Sequence, residues 1–289
     1  MDAMSRIERT LAEALAWAEA PGGPPRLAEA MHYAVFPRGA RIRPRLALSV
    51  AYACGDDNPA LADAAAASIE LLHCASLVHD DLPCFDNAGM RRGKPSVHRA
   101  FGEQLAVLSG DALIVLAFQA IARAATANPE RLPALLLIVG NSVGVPKGIV
   151  AGQAWECEPQ VDLAEYQQEK TGALFAAATM AGAAACGAEA APWRSLGEHL
   201  GEAYQVADDL RDATCDAEEL GKPVGQDKAH GRPSAVTQFG VAGAVKRLEA
   251  LAAGAVASIP PCPGSAVLQS LILQESKRLM PKKLAQHAA

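Results

Sequence analysis

Two short stretches of this chain carry aspartates at spacings that could bind a divalent cation. The first is HDDLPCFDNAGMRRGK at residues 79–94, which contains Asp80, Asp81 and Asp86. The second is YQVADDLRD at residues 204–212, which contains Asp208, Asp209 and Asp212. Mg²⁺ takes oxygen ligands and usually shares them among one or two carboxylates, waters and substrate phosphates. The two stretches therefore predict one magnesium and diphosphate site assembled from two parts of the chain.

Basic side chains accompany both stretches and supply the positive charge that a diphosphate requires. Arg91 and Arg92 follow the first stretch, and a basic turn, RGARIRP at residues 38–44, adds Arg41 and Arg43. Further candidates lie elsewhere in the chain: His73, Lys170, Lys222 and Arg232. Arginine forks suit phosphate oxygens, and lysine serves as a point charge. Because the net charge is −6, an anionic ligand must be held by such a local cluster, and no attraction for nucleic acid is predicted.

The elements that carry these residues are predicted to be helices. Of the 289 residues, 51% are hydrophobic and only 4% are aromatic, which favours closely packed helices over a β-sandwich. Both acidic stretches follow apolar helical runs, and the helical period places Asp208 and Asp212 on one face. Pro83 separates Asp80 from Asp86, so we expect the first helix to end there and run into a loop.

Apolar periodicity and chain breakers together predict about a dozen helices. They cover residues 1–20, 26–36, 45–54, 60–78, 97–100, 104–126, 133–143, 147–156, 162–186, 192–212, 235–239, 242–258 and 263–279. A polar segment rich in Gly and Pro, residues 216–233, is predicted to be a loop. No strand or linker is predicted, so we expect one all-α domain, a helical bundle over residues 1–289.

Cysteine usage and hydropathy bear on location. The seven cysteines include no CxxC pair, which favours buried free thiols over disulfides or a zinc site. The N-terminal segment is an amphipathic helix without the apolar core of a signal peptide. No uninterrupted apolar run reaches the roughly 18 residues that span a bilayer. We therefore expect a cytoplasmic protein without a membrane span.

With these residues identified, the chain resembles the trans-isoprenyl diphosphate synthases. HDDLPCFDNAGMRRGKPSVH is similar to the family's first aspartate-rich motif in its bacterial form, and YQVADDLRD to the second. KTGALF at residues 170–175 resembles the family's Lys-Thr-Gly element, and RGARIRP its basic element. LGKPVGQD at residues 220–227 resembles the loop after the second motif. The order of the motifs is that of the family, and the resemblance covers nearly the whole chain.

The resemblance implies a fold, a cofactor and a reaction. The implied fold is about a dozen helices around a deep central cavity, in a protein that works as a homodimer. The implied reaction is a Mg²⁺-dependent head-to-tail condensation of isopentenyl diphosphate with dimethylallyl, geranyl or farnesyl diphosphate. It would proceed by ionisation, condensation and elimination, with three Mg²⁺ ions in each site. Closure of residues 213–233 would keep water away from the carbocation.

The resemblance also implies roles for individual residues. Direct ligands of Mg²⁺ would be Asp80, Asp86 and Asp208. Support for the metal, directly or through water, would come from Asp81, Asp209 and Asp212. The allylic diphosphate would be held by Arg91, Lys170 and Lys222, with Thr171 and Gln205 near the reacting carbon. Isopentenyl diphosphate would be held by Arg43, His73 and Arg92.

Two departures from the family pattern concern basic residues. The basic element usually has Lys where this chain has Ala40, and Gly where it has Arg38. One phosphate contact is therefore missing, and Arg38 or Arg41 is the candidate replacement. The late loop usually carries Lys where Arg232 stands, which keeps the charge.

Product length in this family would depend on what blocks the cavity one and two helical turns before the first aspartate. Those positions hold Ala75 and Ser76, which are small, whereas an aromatic residue would stop growth at fifteen carbons. One turn deeper, Leu71 and Leu72 could stop growth later. The prediction is the twenty-carbon product, geranylgeranyl diphosphate. The basic turn and the HGRPSAV loop are also similar to synthases of carotenoid and bacteriochlorophyll pathways.

Several alternatives to this function remain open from the sequence. A farnesyl or longer-chain synthase differs only in product length. A non-catalytic partner subunit of another prenyl synthase is favoured only by Ala40, and both intact acidic stretches argue against it. A terpene cyclase would carry an Asn/Ser/Glu metal motif in place of DDLRD. A plain acidic helical scaffold would not need five motifs in order.

Overall fold

A computed structural model of the chain describes residues 2–36, 39–155, 157–158, 171–214 and 234–280. These residues contain twelve α-helices, which confirms the all-α prediction. They are α1 (Ala3–Ala16), α2 (Pro25–Val35), α3 (Ile42–Ala53), α4 (Pro59–Asp80), α5 (Val97–Phe101), α6 (Glu103–Ala124), α7 (Leu132–Val143), α8 (Ile149–Trp155), α9 (Ala173–Ala185), α10 (Arg194–Thr214), α11 (Ala235–Ala257) and α12 (Ser265–Leu279). Short 3₁₀ turns lie at Ala125–Ala127, Pro129–Arg131 and Ala191–Trp193.

Helix α4 forms the centre of the core and ends at the first acidic stretch. Its side chains are buried almost without interruption from Leu61 to Leu72, many of them alanines. Asn58 caps its N-terminus by accepting from the N–H of Leu61 at 3.2 Å, and Pro59 begins its first turn. Because α4 packs against neighbours on nearly every side, its position is rigid, and its C-terminal aspartates are held in place.

Small residues let the neighbouring helices approach closely. A side chain at Gly197 on α10 would meet backbone atoms of α9, with Ala176 Cα only 2.4 Å from the added carbon. A side-chain carbon added at Gly182 on α9 would similarly lie only 2.3 Å from the carbonyl oxygen of Ala47 on α3. This backbone contact places the second acidic stretch on a helix that is fixed against the core.

A small β-hairpin connects the first acidic stretch to α5 and was not predicted. Strands β1 (Met90–Arg91) and β2 (Lys94–Pro95) pair in antiparallel fashion, with Arg91 opposite Lys94. The two turn residues, Arg92 and Gly93, have φ of 51° and 77°. Positive φ at both positions is the geometry of a type I′ turn, which suits the right-handed twist of a two-residue hairpin. The turn directs the side chains of Arg91 and Arg92 to different partners.

Two of the helices are apolar enough to cross a membrane by length and composition, which qualifies the expectation from the sequence. They are Pro59–Asp80 and the segment Glu103–Ala127. In the first, 83% of the apolar window is buried inside the protein, as is usual for a core helix. In the second, which includes α6, only 39% is buried, so an apolar face of α6 is left open.

Three of the other predictions meet the structure only in part. All cysteines of the described residues are free, as predicted, but Cys84 and Cys157 are exposed where burial was expected. Of the predicted helix 162–186, residues 162–170 lie outside the described residues, and Ala173–Ala185 is helical. The loop prediction for 216–233 also lies outside the described residues. The predicted helices 235–239 and 242–258 form one element with a kink at Gly240, whose φ is 68°.

Candidate active site

The end of α4 carries two buried aspartates, Asp80 and Asp81, and each accepts a hydrogen bond from a side chain of the protein. Asp80 is 8% exposed, and its Oδ1 accepts from the side-chain amide of Gln153 on α8 at 2.7 Å. Asp86 lies in the exposed loop after α4, and its backbone N–H donates to the carbonyl of Asp80 at 3.0 Å. The loop therefore turns back on the helix end, as expected from Pro83, and keeps Asp86 close to Asp80.

Asp81 forms a salt bridge with Arg91 of the hairpin. The Nε of Arg91 donates to both oxygens of Asp81, at 3.0 and 3.1 Å, and one Nη makes a further contact. Burial lowers the pKa of Arg91, but Asp81, Asp80 and Asp86 outweigh it and raise that pKa. Arg91 thus remains charged beside three carboxylates, and its salt bridge fixes the hairpin against α4.

The second acidic stretch lies in the last turns of α10. Asp208 and Asp212 are half-buried, while Asp209 is 4% exposed. Asp209 accepts from the side-chain amide of Gln205 at 3.0 Å and from the backbone N–H of Ala235 at 2.7 Å. Ala235 is the first residue of α11, so Asp209 ties α11 to α10. Asp208 lies 3.7 Å from the guanidinium of Arg211.

Arg43, His73 and Arg92 form a group of basic residues that are close enough for their charges to interact. Arg43 on α3 lies over the ring of Phe175 at 4.6 Å, and its buried Nε has no hydrogen-bond partner among the described residues. Burial lowers the pKa of Arg43, against the opposing effect of Glu70. A buried guanidinium N–H without an acceptor is costly, and an anion would satisfy it.

His73 belongs to the same group of basic residues. Burial holds the pKa of His73 well below its usual value, and the positive charges of Arg43 and Arg92 lower it further. The imidazole is therefore neutral near pH 7, and a diphosphate placed among these charges would raise its pKa again.

The contacts of Arg43 connect the two halves of the site. The ring beneath its guanidinium, Phe175 on α9, lies 5.6 Å from the ring of Tyr204 on α10. Tyr204 directly precedes Gln205, whose Oε1 is 3.4 Å from the hydroxyl of Thr171. A continuous series of side-chain contacts therefore runs from α3 through α9 to the second acidic stretch on α10.

The ligand-free protein is expected to lose stability as pH falls below about 6.5, because of His73. The unfolded chain binds a proton on this histidine near that pH, whereas the folded chain binds it only at lower pH. Stability is therefore largest above about pH 6.5 and falls as the pH drops. Urea unfolding at about pH 7.5 and about pH 5.5 should show a smaller loss for His73→Gln than for wild type. His32→Gln, on the exposed face of α2, is the control; an equal loss in His73→Gln and wild type would contradict the assignment.

Other predicted site residues lie apart from this group or outside the described residues. The guanidinium of Arg41 is buried and donates to Glu70 at 2.6 Å, to Glu8 at 3.1 Å and to the Val35 carbonyl at 2.9 Å. Of the four predicted chain-length positions, Ser76 is half-buried, and three are at most 1% exposed: Leu71, Leu72 and Ala75. The predictions for Lys170, Lys222 and Arg232 concern residues outside the described part of the chain.

Gln153 was missed by the sequence analysis. It is 8% exposed and lies in α8, whose sequence IVAGQAW is otherwise apolar. A single amide in an apolar helix was the available signal, since a buried polar side chain requires a partner. By donating to Oδ1 of Asp80, Gln153 fixes the orientation of that carboxylate at the end of α4.

The donor set fits a hard, weakly enclosed cation. Carboxylate oxygens dominate both acidic stretches, with no sulfur or imidazole ligand paired to them in the described contacts. No group of three or more His, Cys, Asp or Glu side chains within the described residues is arranged to enclose a metal ion. Mg²⁺ usually relies on one or two carboxylates and completes its shell with waters and substrate phosphates. The arrangement can therefore hold Mg²⁺ together with a diphosphate.

Comparison with known proteins agrees with these features. Residues 24–254 match the family described as polyprenyl synthetase. The chain is 57% identical to a geranylgeranyl diphosphate synthase of Cereibacter sphaeroides, over 97% of both proteins. It is 54% identical to a geranylgeranyl diphosphate synthase of Rhodobacter capsulatus, over 95% of both.

The fold is also that of solved structures. One is the geranyltransferase of Helicobacter pylori complexed with magnesium and isoprenyl diphosphate. It superposes with a TM-score of 0.77 at 27% identity, covering 96% of this chain and 98% of that one. The match in sequence, in fold and in the order of the two acidic stretches leads to one conclusion: the chain belongs to the polyprenyl synthetase family.

Proposed function

We propose that this chain is a geranylgeranyl diphosphate synthase, which condenses isopentenyl diphosphate with an allylic diphosphate: dimethylallyl, geranyl or farnesyl. The observation that carries the proposal is the interacting group of basic residues Arg43, His73 and Arg92, together with the aspartates at the ends of two helices, α4 and α10. The high identity to two geranylgeranyl diphosphate synthases over nearly the whole length supports it. The chain would act as one domain, in the cytoplasm, and would supply carotenoid-type pathways.

Mg²⁺ is the proposed cofactor, held by Asp80, Asp86 and Asp208, with three ions in each site. When bound, it would neutralise the charge that develops on the departing diphosphate. Gln153 orients Asp80, and Arg91 holds Asp81 beside it, so these carboxylates are positioned before any ligand arrives. Such preorganisation lowers the cost of binding.

The two substrates are proposed to bind on opposite sides of Arg43. The diphosphate of isopentenyl diphosphate would accept from Arg43, Arg92 and His73, satisfying the buried Nε of Arg43. The allylic diphosphate would lie against the aspartates and Arg91, with Lys170 and Lys222 as further donors by resemblance to the family. Thr171 and Gln205, which already contact each other, would face the allylic carbon.

In the proposed reaction the allylic C–O bond breaks, and its electron pair leaves with the diphosphate. The double bond of isopentenyl diphosphate then attacks the allylic cation, forming the new C–C bond. A proton is lost from the resulting tertiary cation to the released diphosphate, which restores a double bond. The rings of Phe175 and Tyr204 help to keep water from the cation, because they cover the site beside Arg43.

The function is tested by incubating the purified protein with Mg²⁺, isopentenyl diphosphate and farnesyl diphosphate. The dephosphorylated products are then separated by chromatography. A twenty-carbon alcohol is the expected product. A longer alcohol would keep the reaction and overturn the product length. No turnover with any allylic primer would instead favour a non-catalytic partner subunit.

Product length is proposed to depend on Ser76. It is the half-buried member of the predicted chain-length set, one turn before Asp80, and its hydroxyl donates to the His73 carbonyl at 2.9 Å. Ser76→Phe is expected to place a ring in the path of the growing chain and to shift the product to fifteen carbons. Chromatography of the products measures the shift. Ser76→Ala should keep the twenty-carbon product, and an unchanged product in Ser76→Phe would contradict the proposal.

The chain is further proposed to form a homodimer through α6 and α7. Leu108 and Val115 lie two turns apart on one face of α6 and are 51% and 55% exposed. Leu137 on α7 is 65% exposed, so an apolar surface is available to a second copy. Leu108→Glu with Val115→Lys is expected to give monomers in sedimentation experiments. Val267→Lys, at an equally exposed position on α12, should leave the dimer intact. A dimer that survives the double change would place the interface elsewhere.

A further inference from the structure

Gly39 lies against the tip of the hairpin. A side-chain carbon at Gly39 would lie 2.7 Å from Cζ and one Nη of Arg92 and 3.0 Å from its other Nη. Because these three atoms are at nearly the same distance, the plane of the guanidinium faces the glycine. Arg92 therefore rests on the backbone of the basic turn that also carries Arg43.

Backbone conformation does not explain why position 39 is glycine. Gly39 is not among the residues with positive φ, unlike Gly93 in the hairpin turn. An alanine could therefore adopt its backbone conformation without strain. What an alanine would displace is the end of a flexible, exposed arginine, so the chain could fold as before while Arg92 moved away.

The position of Arg92 has consequences for binding an anion. Arg92 lines a small pocket that is also lined by Cys74 and Leu77 of α4 and by Asp81 at the end of that helix. Its charge acts on both Arg43 and His73. Within the described residues, Arg92 makes no ion pair and no hydrogen bond through its side chain. Its donors are thus available to a ligand at the place where two other cationic or basic groups converge.

We infer that Gly39 is a positioning residue. Because it has no side chain, it leaves room for the Arg92 guanidinium to lie beside Arg43 and His73, where the three together bind a diphosphate. The inference rests on the proposed function only in naming this anion as isopentenyl diphosphate. A guanidinium held in its binding position loses less conformational freedom when the anion arrives, which strengthens binding. Arg92 is a turn residue with left-handed backbone geometry, and its contact with Gly39 holds its guanidinium at the proposed binding site.

The test measures binding of inorganic pyrophosphate by calorimetry, without Mg²⁺ and with a chelator present. Arg92→Ala is expected to weaken binding roughly tenfold to a hundredfold, as for loss of one charged hydrogen-bonding partner. Gly39→Ala should weaken it roughly tenfold, because the displaced guanidinium must return at a cost. In the Arg92→Ala background, Gly39→Ala should have no further effect on binding, because the guanidinium that it would displace is absent.

Controls separate this role from a loss of folding. Gly39→Ala should keep the wild-type melting temperature within about 2 °C. Gly89→Ala, at a glycine just before the hairpin with open space around it, should bind pyrophosphate as wild type does. With substrates, Gly39→Ala should raise KM for isopentenyl diphosphate and leave kcat and KM for the allylic substrate unchanged.

Each alternative outcome has a distinct meaning. Wild-type binding by Gly39→Ala would overturn the inference, and so would an equal loss in the Arg92→Ala background. Absence of pyrophosphate binding by the wild type would overturn it as well. Intact pyrophosphate binding without turnover would instead overturn the proposed function and leave the role of Gly39 standing.

Discussion

Asp80→Ala and Asp208→Ala are each expected to lower kcat by roughly 10²–10³-fold or more while the protein remains folded. Each change removes a carboxylate proposed to hold Mg²⁺ against the departing diphosphate, and electrostatic stabilisation of this kind contributes losses of that size. Neither aspartate is needed for a helix to form, because Asp80 is the last residue of α4 and Asp208 is half-buried near the end of α10.

The measurement is steady-state turnover at increasing Mg²⁺ concentration, with circular dichroism as the check on folding. Asp80→Asn is the stricter variant because it keeps the shape of the side chain and its place beside Gln153 while removing the charge. Glu249→Ala, an exposed carboxylate on α11, is the matched control and should behave as wild type. Near-normal turnover in Asp80→Asn would exclude Asp80 as a metal ligand.

Arg41→Ala is expected to lower the free energy of unfolding by about 3–5 kcal/mol. Its guanidinium is fully buried and pairs with Glu70 on α4, itself only 2% exposed, and with Glu8 on α1. Burial alone lowers the pKa of Arg41, but these carboxylates outweigh it and raise that pKa, so the charge persists inside the protein. Removing one partner leaves the charge of Glu70 buried and unpaired, which is far costlier than losing a surface pair.

Urea unfolding measures the loss, and Arg194→Ala is the matched control. Arg194 pairs with Glu198 on the surface of α10 at 3.7 Å, where a loss below about 1 kcal/mol is expected. The double variant Arg41→Ala with Glu70→Ala should recover part of the lost stability, since it removes the orphaned charge. An Arg41→Ala protein of normal stability but raised KM would instead support the sequence prediction that Arg41 binds substrate.

Helix positions and the two acidic stretches were largely predictable because their signals are local. The apolar run of α4, capped by Asn58 and ended before Pro83, defines a helix that delivers Asp80 at its end. The helical period alone places Asp208 and Asp212 on one face of α10. The hairpin escaped prediction because strands of two residues have no periodicity, and of the two turn residues only Gly93 is typical of such a turn.

Only the tertiary structure shows which arginines pair with buried carboxylates of the core. Arg41 and Arg43 are two residues apart in one basic turn, yet Arg41 points to Glu70 inside the protein and Arg43 lies over Phe175. Their sequence surroundings do not distinguish them, because the partners come from helices far away in the chain. Arg41 also has left-handed backbone geometry, with φ of 50°, which changes the direction of the chain between the two side chains.

The sequence by itself therefore determined the chemistry of the site: oxygen ligands for a hard cation, and arginines for a diphosphate. The supporting contacts came from the fold, as shown by Gln153 on Asp80 and by the N–H of Ala235 on Asp209. The physical reason is that residue type determines what a side chain can bind, whereas its orientation depends on packing against distant segments. Gly39 shows the same limit, since its importance is visible only where Arg92 lies on it.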